Sequence, residues 1–191
     1  FFFGLPDKTE MRDIAKMIET GRREEVAIPE GLIEAAEDAD LMIVHLCPIN
    51  RNLLERATKL KAVMSCRGGL ENIDVQAATE HNIIISNNPA HNANAVAEFT
   101  IGVILSETRN IARSHMSLKQ VNWSTTYPNS ATEIKEMTDM TVGIVGYGSI
   151  GRLVAYKLSV FGCKIIVADP FVKSCSEDYV TLVTMDELLS T

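Results

Sequence analysis

The chain has 191 residues and carries 18 Lys and Arg against 25 Asp and Glu, a formal charge of −7. The basic residues form no stripe, so nucleic-acid binding through clustered cations is not expected. A chain this long removes roughly 70% of its unfolded surface from water, enough for one large domain or two small ones, while no apolar run nears the ~20 residues of a membrane span.

The opening "FFFGLP" lacks the length and the basic lead of a signal peptide. A soluble, cytoplasmic setting is therefore expected. Cys47, Cys66, Cys163 and Cys175 are widely spaced and read as reduced core thiols. His45, His81, His91 and His115 form no i, i+4 pair and no cluster with cysteine, so no metal site is expected.

In chain order, short β-rich runs alternate with helical patterns, the mark of parallel α/β construction. Strands are expected at "LMIVHL" (41–46), "KAVMSC" (61–66) and "NIIIS" (82–86). Helices are expected at "PEGLIEAAEDA" (29–39), "NRNLLERATKL" (50–60) and "DVQAATEHN" (74–82). A small α/β sheet is thus complete before residue 90. From 93 to about 115 runs the longest helical pattern, with Asn92 or Asn94 available as a cap and Ala97, Ile101, Ile104, Leu105 and Ile111 near helical spacing. It suits either a bridge between domains or the core of one. The pattern loosens from 117 to 140, read as a connection, before strands at "TVGIVG" (141–146) and "KIIVAD" (164–169). One further strand and a short helix at "TMDELLST" follow. The expected organisation is 1–92, 93–140 and 141–191.

Gly146-Tyr147-Gly148-Ser149-Ile150-Gly151 stands between an apolar strand and an apolar helix, which raises a weak glycine pattern to a dinucleotide fingerprint. Gly146 would permit the turn, Gly148 the approach of a pyrophosphate, and Gly151 close helix–strand packing. The amides at Ser149 and Ile150 would face the phosphates. Asp169 lies where a ribose would sit; an acid there accepts from both ribose hydroxyls and repels a 2′-phosphate, favouring NAD over NADP. Of nearby cations the stretch after it offers only Lys173.

Two stretches, "SCRGGLENIDVQAATEHNIIISNNPAHNANAVAEFTIGVILSETRNIARSH" (65–115) and "VGYGSIGRLVAYKLSVFGCKIIVADP" (145–170), resemble the D-2-hydroxyacid dehydrogenase family, in particular its phosphoglycerate dehydrogenase-like branch. The resemblance covers about 40–169. It implies a flavodoxin-like substrate domain followed by a Rossmann NAD-binding domain, with the active site in the cleft between them. By that resemblance Arg67, Gly68 and Gly69 present backbone amides to the substrate carboxylate, with Gly68 near the nicotinamide; Asn92 follows the cleft-lining loop, and Thr100 lies near the cofactor. His91 falls at a variable loop position and is read as a surface residue. The family's catalytic Arg, Glu and His belong to the later part of the NAD domain, after Asp169. The expectation is a chain that lacks them, that is incomplete at its start, and that does not turn over by itself.

The implied substrate is a small 2-hydroxy or 2-keto acid, with a 3-phosphoglycerate-like acid as one candidate, and the implied assembly a homodimer through the long helix, where Ala95, Ala97 and Gly102 allow close contact. Two rivals stand beside this reading. One is a non-catalytic NAD-responsive protein of the C-terminal-binding corepressor type. The other is a different dehydrogenase or hydrolase with a similar first domain.

Overall fold

The computed structural model describes residues 7–127 and 134–191. The chain divides into two compact units, Phe1–His91 and Asn92–Thr191, each with its own parallel sheet.

The first unit opens with a helix that the sequence reading did not include, α1 (Lys8–Glu19). Asp7 caps it by accepting the Thr9 amide at 3.1 Å, and Ile18 is fully buried. Then follow α2 (Leu32–Glu37), β1 (Leu41–Val44), α3 (Arg51–Arg56), β2 (Ala62–Ser65), α4 (Val75–Glu80) and β3 (Ile84–Ser86). Asn50 caps α3 by accepting the Leu53 amide, and Asp74 caps α4 by accepting that of Ala77.

The sheet order is β1-β2-β3, all parallel, with Val44 opposite Ser65 and Met64 opposite Ser86. Strand alternation sends Met42, Val44 and Val63 into a core with Leu53, Leu54, Ile73 and Ala77. Leu41, Ile43, Met64 and Ile84, on the other face, stay exposed. The observed strands stop short of the apolar runs that predicted them, because residues 45–46 and 66 leave the ladder to start loops. One expectation is corrected there: Cys66 is exposed at the end of β2, whereas Cys163 is buried and Cys47 and Cys175 are half-buried.

The second unit holds α5 (Ala93–Thr108), α6 (Ile111–Lys119), β4 (Thr141–Val145), α7 (Ser149–Ser159), β5 (Lys164–Ala168), β6 (Val180–Leu182) and α8 (Met185–Ser190). The single helix expected over 93–115 is two helices. Asn110 sits between them in the left-handed region at φ 56°, a conformation that cannot continue a right-handed helix and that asparagine tolerates better than most. Its Oδ1 accepts from Arg113 Nη1 at 3.1 Å, and the residue is buried. The expected caps of α5 are not made: Asn92 takes the cap position without a side-chain bond, and Asn94 donates to Glu98 instead.

Helix α5 packs along α7, and Ala97 is buried in the second core with Ile144, Tyr147, Val154, Leu158 and Val167. The sheet order is β4-β5-β6, all parallel. Gly143 makes room for α8: a Cβ there would lie 3.1 Å from Leu188 Cδ2. Of the expected connection over 117–140, its first residues continue α6 and Met137–Asp139 form a 3-10 turn; residues 128–133, like the opening "FFFGLP", lie outside the described residues.

Candidate functional site

The turn from β4 into α7 is the more definite of two strand-to-helix turns that carry candidate site residues. Strand β4 is followed by Gly146, whose amide donates to the Ala168 carbonyl at 2.9 Å. At Gly146 the backbone takes φ 90°, which suits glycine and strains other residues. Gly151 is required by packing: a Cβ there would lie 2.1 Å from the Gly146 carbonyl oxygen. Gly148 is required by nothing among the described residues, because a Cβ there meets none of their atoms within 4 Å. The fingerprint thus leaves space at its middle glycine, where a ligand backbone would need it.

Helix α7 opens from Gly148 without a side-chain cap, unlike α8, which Thr184 and Glu187 close with a capping box. The amides of Ser149 and Ile150, in the first turn, have no acceptor among the described residues. Free donors at the positive end of a helix dipole form a receptor for an anion such as a pyrophosphate.

Asp169 follows β5 and is half-buried. Its Oδ2 accepts the Tyr147 amide at 2.6 Å and its Oδ1 the Phe171 amide at 2.8 Å. The Tyr147 amide above all, then that of Phe171, holds the carboxyl below the usual aspartate range, so it is ionised at neutral pH. Each oxygen keeps lone-pair capacity for a further donor, which two ribose hydroxyls would fill. The residues present fit a dinucleotide on these grounds: an open middle glycine, uncapped amides and a fixed anionic acceptor.

Sequence reasoning did not anticipate what surrounds this acid. Tyr147 is buried in the core, its hydroxyl without a hydrogen-bond partner among the described residues. Burial pushes that hydroxyl's pKa up. Arg152 stacks over the Tyr147 ring, 4.4 Å from its centre, and pairs with Glu177 at 3.1 Å. Arg152 directly follows the fingerprint, a signal visible in the sequence; Glu177 comes from the irregular segment before β6, where no pattern marks it.

In the first unit, the turn after β2 is held by its neighbours. The Arg67 amide donates to Ser65 Oγ at 3.2 Å and the Arg67 guanidinium to Glu19 at 2.7 Å. The Asn88 amide donates to the Arg67 carbonyl at 2.9 Å, and Asn87 Nδ2 to the Gly68 carbonyl at 2.6 Å. The amides of Gly68 and Gly69 have no acceptor among the described residues, and the Glu71 carboxylate lies against Gly69. "ENID" is explained structurally: Asn72 is buried and donates to the Cys47 carbonyl at 2.9 Å, and Asp74 caps α4.

Asn92 is exposed at the start of α5, and Thr100 is half-buried, its hydroxyl donating to the Val96 carbonyl at 2.8 Å. His91 is exposed, with one ring nitrogen 3.2 Å from the Asn88 carbonyl oxygen. Of the residues proposed for helix contact, Ala97 packs inside the unit while Ala95 and Gly102 are exposed. Among the described residues no group of three His, Cys, Asp or Glu could hold a metal ion, and no helix is long and apolar enough to cross a membrane.

Comparison with known proteins gives this geometry a family. A D-3-phosphoglycerate dehydrogenase of Methanocaldococcus jannaschii is 36% identical over 164 residues, 84% of this chain and 30% of that protein. The chain thus spans about a third of the length of that relative. Among solved structures, an acyclic imino acid reductase in complex with NADPH and D-Arg matches with TM-score 0.69 and 26% identity, over 83% of this chain and 50% of that one. The D-lactate dehydrogenase of Aquifex aeolicus, complexed with NAD and lactic acid, matches with TM-score 0.70 over 97% of this chain and 56% of that one; at 24% identity it shows a shared fold. The family profile described as D-isomer specific 2-hydroxyacid dehydrogenase, catalytic domain, matches residues 7–187, and the chain belongs to that family.

Proposed function

We propose that this chain forms part of an NAD-dependent oxidoreductase acting on a small D-2-hydroxy or 2-keto acid, with 3-phosphoglycerate as one candidate substrate. The observation that carries the reading is the β4–α7 turn, whose open Gly148 and uncapped amides at Ser149 and Ile150 suit a pyrophosphate. Gly146 and Gly151 shape that turn, and Asp169 would accept from the adenosine ribose, favouring NAD. When bound, the nicotinamide supplies a hydride acceptor or donor for the α-carbon of the acid.

In the first unit we assign the substrate carboxylate to the amides of Gly68 and Gly69, with Arg67 anchoring the turn through Glu19 and Ser65. Gly68 near the nicotinamide, Asn92 near the substrate and Thr100 near the cofactor enter the proposal on family resemblance. A homodimer is proposed through α5 and α6, which expose Phe99, Val103, Met116 and Leu118. Four free cysteines favour a reducing, cytoplasmic setting.

Residues 170–191 contain no arginine and no histidine, so the carboxylate grip and the proton transfer that a keto-acid reduction needs have no candidates there. The test is calorimetric titration of the 191-residue chain with ADP-ribose, alongside an assay of NADH oxidation with 2-keto acids. Saturable binding of ADP-ribose without turnover is expected. Absence of binding overturns the cofactor reading, and turnover overturns the assignment of catalysis to other residues.

A further inference from the structure

In the sequence, Asp169 is the residue that bears on cofactor type, and the stretch after it offers Lys173 as the nearby cation. In the structure Lys173 turns back to donate to the Pro170 carbonyl at 3.1 Å. The cation that the fold brings into this region is Arg152, in the first turn of α7 and 17 residues before Asp169 in sequence. It is linked to the acid through Tyr147: the guanidinium covers the tyrosine ring, and the amide of that tyrosine donates to Asp169 Oδ2. After the amides of Tyr147, Phe171 and Val172, the charge of Arg152 is also among the influences that keep the Asp169 carboxyl ionised.

Arg152 is not left to itself. Glu177 Oε1 accepts from its Nη1 at 3.1 Å, and Glu177 Oε2 accepts the Ser176 amide at 3.0 Å, so both carboxylate oxygens are engaged. A guanidinium is the preferred partner of a phosphate, and an arginine near the ribose is the usual means of accepting a 2′-phosphate. Here such an arginine is present, and a fixed carboxylate and an aromatic face occupy it.

We propose that the Glu177–Arg152 pair is a second determinant of cofactor choice, in which Glu177 withholds Arg152 from a ribose 2′-phosphate and so reinforces the discrimination made at Asp169. This rests on the reading of Asp169 as the ribose acceptor. Exclusion of the phosphorylated cofactor then has two parts. Asp169 repels the phosphate directly, and Glu177 denies it a counter-charge. Releasing the second part is expected to shift preference without touching the glycine turn.

The test is calorimetric titration of the full 191-residue chain with ADP-ribose and with its 2′-phosphorylated form, the readout being the ratio of the two affinities. That ratio is insensitive to a uniform loss of folded protein. Glu177→Gln is expected to move it toward the phosphorylated ligand by roughly fivefold, the scale of one exposed ion pair. Adding Arg152→Gln to that variant is expected to return the ratio to its starting value, whereas Arg152→Gln in the otherwise unchanged chain leaves it where it was. An unchanged ratio in Glu177→Gln, with ADP-ribose still bound, overturns the inference and leaves the cofactor reading standing. So does a fall in binding of the phosphorylated ligand on Arg152→Gln alone, since Arg152 would then already be free. Failure of the unaltered chain to bind either ligand overturns the cofactor reading itself, and the inference with it.

Discussion

Two turns in this chain leave a strand for a helix through glycines, and they are built in opposite ways. The turn after β2 is held by its own surroundings: Ser65 takes the Arg67 amide, Glu19 takes its guanidinium, and Asn87 and Asn88 hold its carbonyls. The turn after β4 is held from behind, by Gly151 against the Gly146 carbonyl and by Asp169 on the Tyr147 amide, and its helix amides at Ser149 and Ile150 have no acceptor among the described residues. Side chains that close a turn on itself reduce what it can offer a ligand. Packing that fixes a turn from behind leaves its front free.

The sharpest way to separate the two is to add the same methyl group to each. At both Gly151 and Gly69 an added Cβ would fall 2.1 Å from an oxygen, but at Gly151 the oxygen is the Gly146 carbonyl and at Gly69 it is the end of the Glu71 side chain. A backbone oxygen moves only with the strand, while an exposed carboxylate rotates away. Gly151→Ala is therefore expected to destabilise its unit by about 3 kcal/mol, and Gly69→Ala by under about 0.5 kcal/mol, as for other surface substitutions. Urea unfolding followed by circular dichroism distinguishes them; equal losses would show that the second turn is no more rigid than the first. Gly148→Ala completes the series. With open space at its Cβ it should keep stability within about 1 kcal/mol, the scale of a weakened helix cap, while weakening ADP-ribose in calorimetry.

How far the sequence disclosed this arrangement differs between backbone and side chains. Strand alternation and the fingerprint located all five of the strands given residue bounds, because buried parallel strands are written as apolar runs that end at turns. The break at Asn110 was hidden by apolar residues at helical spacing on both sides of it, and only a left-handed backbone reveals it. Helix α1 carries an Asp7 cap and a buried Ile18, yet seven of its twelve residues are charged or polar threonine, which blurs the apolar stripe. At the candidate site, Gly146, Gly148, Gly151 and Asp169 were legible because a known turn requires them in order. Arg152 and Glu177 were not legible as a pair, since 25 positions separate them and only the path from α7 through β5 brings them together.

The acid behind the second turn gives a pH-dependent version of the same contrast. Asp169 is held below its ordinary range by the Tyr147 and Phe171 amides. A carboxyl whose folded pKa is depressed contributes stability that is present above the unfolded value near ~3.9 and is lost as pH falls through the folded one. Urea midpoints of the chain should therefore decline below about pH 4. Asp169→Asn should make that decline shallower, because an amide oxygen can still accept from Tyr147 but no longer titrates. An unchanged slope would mean that other carboxyls, such as Glu187 in its capping box, carry the acid sensitivity of this unit.

A smaller effect than that of Gly151→Ala is expected where the first turn is closed. Ser65 is buried at the end of β2, and its hydroxyl oxygen is the acceptor for the Arg67 amide. Ser65→Ala removes that acceptor and leaves the amide unsatisfied, at a cost of about 1 kcal/mol, or roughly 2–4 °C in Tm for a protein of this size. ADP-ribose affinity should not move, because the fingerprint and Asp169 belong to the other unit. A fall in ADP-ribose affinity would instead mean that the turn after β2 acts on the adenosine half of the site, and the division of labour between a self-closed turn and an open one would have to be redrawn.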